Sequence, residues 1–150
     1  MIDNVGIVGA GQMGSGIAHV VSLSGRRVQL LDLDQDLLRR SIATIEKNMA
    51  RQASRGKVTE EDVKSALSRI ETGTDYSGFK NCDIVIEAAT ENEDIKRKIF
   101  QEMAGCLNEN TLLATNTSSI SITRLASTTA VSYTHLRAHE TLRYLVCRLL

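Results

Sequence analysis

The chain has 150 residues, and its 18 basic and 18 acidic side chains give it a formal net charge of zero. A length of this order suits one domain, while the balanced charge argues against a polybasic nucleic-acid surface and against an acidic solvating tail. No apolar run approaches the ~20 residues that cross a bilayer, and the three cysteines show no metal-ligand spacing. We therefore expect a reduced, cytoplasmic protein. We also expect that it binds no nucleic acid, no membrane and no metal.

The start of the chain predicts a strand, a helix and a second strand. Val5–Gly9 is an apolar run that ends in glycine, as in a buried strand of a parallel sheet. A helix follows, with Gly25 at a position where helices commonly end, and then comes the strand Val28–Asp32. The apolar positions that repeat with helical spacing are Met13, Ile17, Val20 and Val21.

Three further helices and two further strands are predicted beyond this unit. One helix begins at about Asp34, and Thr59–Asp62 resembles a capping box that opens another. Cys82–Glu87 and Thr111–Thr115 are predicted strands, with the last helix between them. The apolar residues that define these helices are Leu38, Ile42, Ile45 and Met49; Val63, Leu67 and Ile70; and Ile95, Ile99, Met103 and Leu107. This alternation indicates an α/β fold, doubly wound, with a mainly parallel sheet and helices on both faces.

A glycine-rich turn, Gly9-Ala-Gly-Gln-Met-Gly14, lies between the first strand and the first helix. Gly9 permits the tight turn, Gly11 lets a diphosphate approach the backbone, and Gly14 lets the helix pack close to the strand. The helix N-terminus offers N–H groups and a positive dipole end to phosphates. We predict that an NAD-type dinucleotide binds here, and a purely structural turn is the alternative. The predicted contacts are Gly9, Ala10, Gly11, Gln12, Met13 and Gly14.

Asp32 ends the second predicted strand. At this point a carboxylate can accept hydrogen bonds from the ribose hydroxyls of NAD, and it would repel the 2′-phosphate of NADP. We therefore predict that the cofactor is NAD. The alternative is that Asp32 only caps the following helix, a task that Asp34 or Asp36 could perform instead.

Three motifs in this order resemble the NAD-binding domain of the 3-hydroxyacyl-CoA dehydrogenases, and most of all that of the bacterial 3-hydroxybutyryl-CoA dehydrogenases. They are the Gly9–Gly14 turn, Val85-Ile-Glu-Ala-Ala-Thr-Glu91 and Asn116-Thr-Ser-Ser119-Ile-Ser-Ile, and the resemblance covers residues 1 to about 129. It implies a Rossmann-type fold, truncated at its C-terminal end. It also implies an enzyme of fatty-acid β-oxidation or butanoate metabolism that transfers a hydride between NAD and the 3-hydroxyl carbon of a 3-hydroxyacyl-CoA.

The resemblance also implies roles for single residues. Glu91 would lie near the ribose on the nicotinamide side, and Lys96 would contact the cofactor. Asn116 would help to form the cofactor-binding loop, and Ser118 would lie beside both the nicotinamide and the reacting oxygen of the substrate. Arg55 would contact the coenzyme A nucleotide. The structural alternatives are a helix N-cap for Ser118, a solvated helix start for Glu91 and Lys96, and a solvated charged face for Arg55.

The reaction also needs a base that removes the hydroxyl proton, usually a histidine. In the family this histidine follows the Asn-Thr-Ser-Ser loop and precedes aromatic residues and Asn-Pro. His139 and Glu140 lie near this spacing without that context, so we assign them no role. The family's helical C-terminal domain, which makes the homodimer, is also not found. We expect an N-terminal fragment, nearly inactive by itself, of a dimeric enzyme that acts on an acyl-CoA.

The segment from about Ala130 onward differs in character from the rest of the chain. Val131–Thr141 and Tyr144–Leu150 resemble, in order, two translated stretches of an adapter used in transposon-based sequencing libraries. We therefore predict that residues 1–129 form a partial NAD-binding domain and that residues 130–150 are a non-native tail. A native C-terminal helix is the alternative.

Two other functions remain open. The 3-hydroxyisobutyrate and 6-phosphogluconate dehydrogenases share the G-x-G-x-M-G turn, but they often prefer NADP and lack the pattern of Glu91 and Asn116–Ser119. A non-catalytic dinucleotide-binding module, used as a sensor or a scaffold, is the other alternative.

Overall fold

The structure, a computed structural model, describes residues 1–117, 120 and 125. In this part of the chain, five strands form one sheet in the order β3-β2-β1-β4-β5, and every neighbouring pair is parallel. The strands are β1 (Asn4–Val8), β2 (Arg27–Leu31), β3 (Ile70–Gly73), β4 (Ile84–Glu87) and β5 (Leu112–Thr115). The predicted α/β fold with a mainly parallel sheet is therefore confirmed.

Helices connect the strands, and side chains at their N-termini explain where several of them begin. The helices are α1 (Gln12–Leu23), α2 (Gln35–Ser54), α3 (Glu60–Leu67) and α4 (Glu93–Ala104), and a short 3₁₀ helix spans Tyr76–Asn81. The Asp34 carboxylate accepts the N–H groups of Asp36 and Leu37 at the start of α2, and Thr59 and Asp62 form the predicted capping box of α3. No helix within the described residues is long and apolar enough to cross a membrane.

The sheet separates two apolar cores, as a doubly wound fold requires. Alternate residues of β1 face opposite sides, so Ile7 packs among α1, α2 and α3, while Val8 packs with Phe79 and Phe100 on the other face. The buried residues of the first core include Leu30, Leu38, Ile45, Met49 and Ala66. Helices on both faces of the sheet are therefore confirmed.

Four apolar positions do not lie where helical spacing predicts them. Ile70 belongs to β3 and pairs with Val28 of β2, because α3 ends at Leu67 and the next residues add an edge strand to the sheet. Met13, Val20 and Ile95 are 54%, 59% and 52% exposed, although all three fit the helical period. Apart from Val21, the buried residues of α1 are small or polar: Gly14, Ser15, Ala18, His19 and Ser22.

Candidate dinucleotide-binding site

The strand order places a crevice at the carboxyl end of β1. The chain turns from β1 to β2 on one side and later adds β4 on the other side, so β1 lies at the topological switch point where ligands of such sheets bind. The last residues of the neighbouring strands are level with one another, because Val8 pairs with both Leu31 and Glu87, and Glu87 pairs with Thr115. Side chains and loops that follow these four residues therefore surround one crevice.

The absence of a side chain has a different consequence at each of the three glycines of the turn after β1. Gly9 has φ +100°, and its N–H donates to the carbonyl of Leu31 at 2.7 Å. A Cβ on Gly14 would lie 1.7 Å from the carbonyl oxygen of Gly9, so only glycine lets α1 pack so close to β1. A Cβ on Gly11 would meet nothing within 4 Å. The space above Gly11 is therefore open to a bound group.

The first turn of α1 presents backbone donors without a competing acid. Gly11 is the N-cap, no side chain caps the helix, and its first turn contains no acidic residue. The first N–H groups of a helix have no partner within it, and they attract a diphosphate together with the helix dipole. Gln12 and Met13 are exposed at this end of the helix. This geometry suits the diphosphate of a dinucleotide, and the contacts assigned to the turn stay predictions.

Asp32 follows β2 and ties the glycine turn to the next loop. Its Oδ2 atom accepts the N–H of Ala10 at 2.8 Å, and its Oδ1 atom accepts the N–H of Asp34 at 3.0 Å. Asp34, and not Asp32, caps α2. The alternative that Asp32 serves only as the cap of this helix is therefore wrong. A carboxylate has about four lone-pair sites, which leaves acceptor capacity for ribose hydroxyls.

Two buried serines, which the sequence patterns do not single out, also hold the turn. The Ser15 hydroxyl donates to the carbonyl of Ala10 at 3.0 Å, and its oxygen lies 2.6 Å from the Ser41 hydroxyl of α2. This pair links the turn to the second helix. The signal in the sequence is indirect, since Ser15 occupies a position in α1 that an apolar residue would otherwise fill.

The side chains expected on the nicotinamide side lie after β4 and β5. Lys96 is 1% exposed and forms an ion pair with Glu87, so its position is not that of a solvated helix start. Glu91 is exposed, and its Oε2 atom accepts the Thr117 hydroxyl at 3.1 Å. The backbone N–H of Asn116 donates to the carbonyl of Glu87 at 2.8 Å. The structure thus brings Glu91, Lys96 and Asn116 to one end of the sheet, where their cofactor contacts stay predictions.

Several residues that the sequence analysis considered for a catalytic role lie outside the described part of the chain. Ser118, for which the sequence predicts the contact with substrate, follows Thr117 directly and is itself not described. The same applies to His139 and Glu140 and to the whole segment 130–150. Their roles, and the proposed non-native origin of that segment, stay predictions.

Arg55 lies apart from this crevice, at the end of α2. Together with Arg51 and Lys57 it lines a cavity of about 290 Å³. The inner wall of this cavity includes the buried His19, whose Nε2 atom lies 3.2 Å from Oε1 of Gln52. His19 and Asn48 also line a groove of about 410 Å³ that reaches Gly11 between α1 and α2. The three exposed cations therefore surround a concave surface near the turn.

The free thiol of Cys82 is not a candidate nucleophile. Cys82 is buried beside the sheet, and burial raises the pKa of its thiol to about 11. The thiol is therefore protonated at neutral pH, and a protonated thiol is a poor nucleophile and a poor metal ligand. Within the described residues, no group of three or more histidine, cysteine or acidic side chains could hold a metal ion.

Comparison with known proteins supports this geometry. Residues 4–141 match the family model described as 3-hydroxyacyl-CoA dehydrogenase, NAD binding domain. A 3-hydroxybutyryl-CoA dehydrogenase of Bradyrhizobium diazoefficiens is 50% identical over 129 residues, which are 86% of this chain and 44% of the relative. A peroxisomal fatty acid beta-oxidation multifunctional protein of Arabidopsis thaliana is 40% identical over 121 residues, 81% of this chain and 17% of that protein.

A solved structure has the same fold. The crystal structure of (S)-3-hydroxybutyryl-CoA dehydrogenase from Ralstonia eutropha matches with a TM-score of 0.84 and 46% identity, over 87% of this chain and 46% of that one. The chain thus spans less than half the length of these dehydrogenases. The predicted resemblance and the Rossmann-type fold are confirmed, and the family match decides against the 3-hydroxyisobutyrate and 6-phosphogluconate dehydrogenase group.

We predict that Gly11→Ala weakens the binding of NADH by about tenfold or more, equivalent to at least ~1.4 kcal/mol. The added methyl group occupies the open space above the turn, and the backbone angles of Gly11 suit alanine. Since alanine is a poorer N-cap, a loss of stability of about 0.5–1 kcal/mol is expected as well. Fluorescence titration with NADH measures the affinity, and thermal unfolding measures the stability.

Gly16→Ala is the matched control for this change. Gly16 is an exposed glycine in the same helix, and a Cβ there also meets nothing within 4 Å. We expect it to leave NADH affinity unchanged and to stabilise α1 by about 0.5–1 kcal/mol. Unchanged NADH affinity in Gly11→Ala would contradict the assignment of this turn to the diphosphate.

Proposed function

The chain belongs to the 3-hydroxyacyl-CoA dehydrogenase family, whose NAD-binding domain it carries, and we propose that the protein of which it is the N-terminal part oxidises 3-hydroxyacyl-CoA to 3-oxoacyl-CoA. Bound in this crevice, NAD would supply the acceptor for the hydride that leaves C3 of the substrate. The hydroxyl proton must pass to a base in the same step. The observation that carries this proposal is the family match together with the turn and Asp32, which form a dinucleotide cradle at the switch point of the sheet.

The residues of this chain have separate tasks in the proposal. The Gly9–Gly14 turn and the first N–H groups of α1 bind the diphosphate, and Asp32 accepts hydrogen bonds from the adenosine ribose. Glu91, Lys96 and Asn116 surround the nicotinamide half. We propose that Ser118 hydrogen-bonds the reacting oxygen of the substrate, since it follows β5 by three residues in the sequence and ligands of such sheets bind beyond the carboxyl ends of the strands.

The substrate proposal also has support in the charged surface at the end of α2. Arg51, Arg55 and Lys57 provide three cations around a cavity that shares His19 and Asn48 with the groove leading to Gly11. A coenzyme A nucleotide carries several phosphate charges, and basic side chains of this kind bind them by charge-assisted hydrogen bonds. We therefore propose that Arg55 contacts the coenzyme A part of an acyl-CoA. The pathway proposed is fatty-acid β-oxidation or butanoate metabolism, in the cytoplasm.

We propose that the chain alone binds NAD and does not turn over substrate. Before residue 130 its only histidine is His19, which lies in the cavity below Arg55 and pairs with Gln52. The base would then be supplied by a further part of the enzyme, together with the helical domain that forms the homodimer. We also propose residues 1–129 as the NAD-binding domain and residues 130–150 as a non-native tail, although the family match continues to residue 141.

We expect the chain to bind NADH at least ~10-fold more tightly than NADPH, a difference of ~1.4 kcal/mol, because the Asp32 carboxylate would repel the 2′-phosphate. Asp32→Asn should reduce this preference by weakening NADH binding and relieving the repulsion. Asp34→Asn is the control, since asparagine is an equally good N-cap and the same charge is removed two residues away. Equal affinity of the unaltered chain for both cofactors, by fluorescence titration, would contradict the role of Asp32.

A chimera tests the dehydrogenase activity itself. Residues 1–129 would replace the corresponding part of the Bradyrhizobium diazoefficiens 3-hydroxybutyryl-CoA dehydrogenase, which supplies the remainder of an enzyme. We expect NAD-dependent oxidation of 3-hydroxybutyryl-CoA, followed by NADH absorbance, and a loss of about 10²-fold in kcat for Ser118→Ala in the chimera. A chimera that folds and binds NADH but has no activity with acyl-CoA substrates would contradict the proposed function.

Deleting residues 130–150 tests the proposed domain boundary. We expect the melting temperature of the remaining chain to be unchanged or higher, because a non-native tail adds no packed contacts to the domain. Thermal unfolding of the two proteins under identical conditions measures the difference. A large fall in melting temperature on deletion would mean that the segment is native structure.

A further inference from the structure

Glu87 is a fully buried carboxylate at the end of β4, and neither the sequence motifs nor the proposed mechanism gives it a task. It is 0% exposed, and its partner Lys96 is 1% exposed. Its Oε1 atom accepts the N–H of Ala89 at 2.9 Å, and its Oε2 atom accepts the Thr115 hydroxyl at 2.8 Å as well as the Lys96 ammonium. One side chain therefore contacts the loop after β4, helix α4 and the end of β5.

The hydrogen bonds continue from Thr115 to the loop that follows β5. The Thr115 oxygen accepts the backbone N–H of Thr117 at 3.3 Å, and the Thr117 hydroxyl donates to Glu91 at 3.1 Å. In the same loop the N–H of Asn116 donates to the backbone carbonyl of Glu87 at 2.8 Å. Through these bonds, Glu87 connects all the described residues that we assign to the nicotinamide side.

The position of this network in the sheet decides which half of a dinucleotide it faces. Asp32 follows β2 and the glycine turn follows β1, whereas Glu87 and Thr115 end β4 and β5 on the other side of β1. With the adenosine ribose at β2 and the diphosphate at β1, the remaining half of the cofactor extends over β4 and β5. The network thus lies beneath the nicotinamide half and away from the adenosine half.

Stability alone is a weak reason for this ion pair. The desolvation of two buried charges offsets most of their attraction, and replacement of such a pair by apolar side chains is often neutral or stabilising. The Lys96 ammonium has three N–H groups, and its partners among the described residues are Glu87 and Thr115. One N–H of the ammonium therefore has no partner among the described residues, and Glu87 and Thr115 fix the position of the other two.

We propose that Glu87 is a positioning residue for the nicotinamide half of NAD. It orients the Lys96 ammonium and, through Thr115, the backbone of Asn116 and Thr117, without contacting the cofactor itself. This inference rests on the proposed function, because it takes the site to be that of an NAD-dependent dehydrogenase. It predicts that loss of the Glu87 charge affects the nicotinamide half and leaves the binding of the adenosine half unchanged.

The test uses the full 150-residue chain and two probes, NADH and ADP, which lacks the nicotinamide and its ribose. We expect Glu87→Gln to weaken NADH binding by about tenfold while ADP affinity changes by less than about twofold, which is within the scatter of independent sites. Fluorescence titration measures NADH affinity, and calorimetry measures ADP affinity. The emission of bound NADH should also shift toward that of the free cofactor, a change in the surroundings of the ring that altered stability alone would not produce.

A double-mutant cycle separates Glu87 from Lys96. If Glu87 acts through Lys96, the double variant Glu87→Gln with Lys96→Met should lose no more NADH affinity than Lys96→Met alone. The double variant has the further advantage that it leaves no unpaired buried charge. The control is Lys98→Met with Glu102→Gln, which removes an exposed pair from the same helix and should change neither affinity. Where a single variant does not fold, Thr115→Val decides, since it keeps the ion pair and removes the link to Thr117.

Three outcomes would overturn the proposal. The first is unchanged NADH affinity in Glu87→Gln or, where that variant does not fold, in Thr115→Val. The second is an equal loss of affinity for NADH and for ADP, and the third is additive effects in the double-mutant cycle. Failure of the proposed function has a different signature, which is an unaltered chain that binds neither NADH nor ADP, or a chimera that binds NADH and has no activity with acyl-CoA substrates. If the unaltered chain binds both probes but the variants change the two affinities equally, only the proposed role of Glu87 is contradicted.

Discussion

The close contact between the start of α1 and the end of β1 is the constraint on which the site depends. The carbonyl oxygen of Gly9 would lie only 1.7 Å from the Cβ of any other residue at position 14. This contact directs the first N–H groups of α1 toward the crevice at the switch point of the sheet. The Asp32 carboxylate then fixes the turn from the side of β2 through the N–H of Ala10. The turn proposed for the diphosphate and the carboxylate proposed for the ribose are thus held together by one direct hydrogen bond.

Two carboxylates at strand ends have contrasting surroundings. Asp32, at the end of β2, is partly exposed, and its partners among the described residues are backbone N–H groups, so it can still accept bonds from a ligand. Glu87, at the end of β4, is buried and compensated by Lys96 and Thr115, so its acceptors are directed inward. The same chemical group is therefore open to a ligand at one strand and bonded internally at the other, because its burial and its partners differ.

Local patterns predicted most of the fold correctly. The glycine turn, the cap at Asp34 and the capping box at Thr59 each depend on residues only a few positions apart, and all three lie where expected. The short edge strand β3 was not predicted, because Ile70 continues the helical spacing of α3 while its strand character comes from pairing with β2. The Glu87–Lys96 pair could not be predicted either, since a lysine in a first helical turn is normally solvated and its burial depends on the packing of α4 against β4 and β5.

The most direct measurement is a crystal structure of this chain grown with NAD. Our account predicts the diphosphate within hydrogen-bonding distance of the backbone N–H groups of Gln12 and Met13, above Gly11, and the adenosine ribose on the Asp32 carboxylate. It also predicts that the nicotinamide half extends over the ends of β4 and β5. A dinucleotide bound elsewhere on the domain, or bound in this crevice with its two halves reversed, would contradict the account.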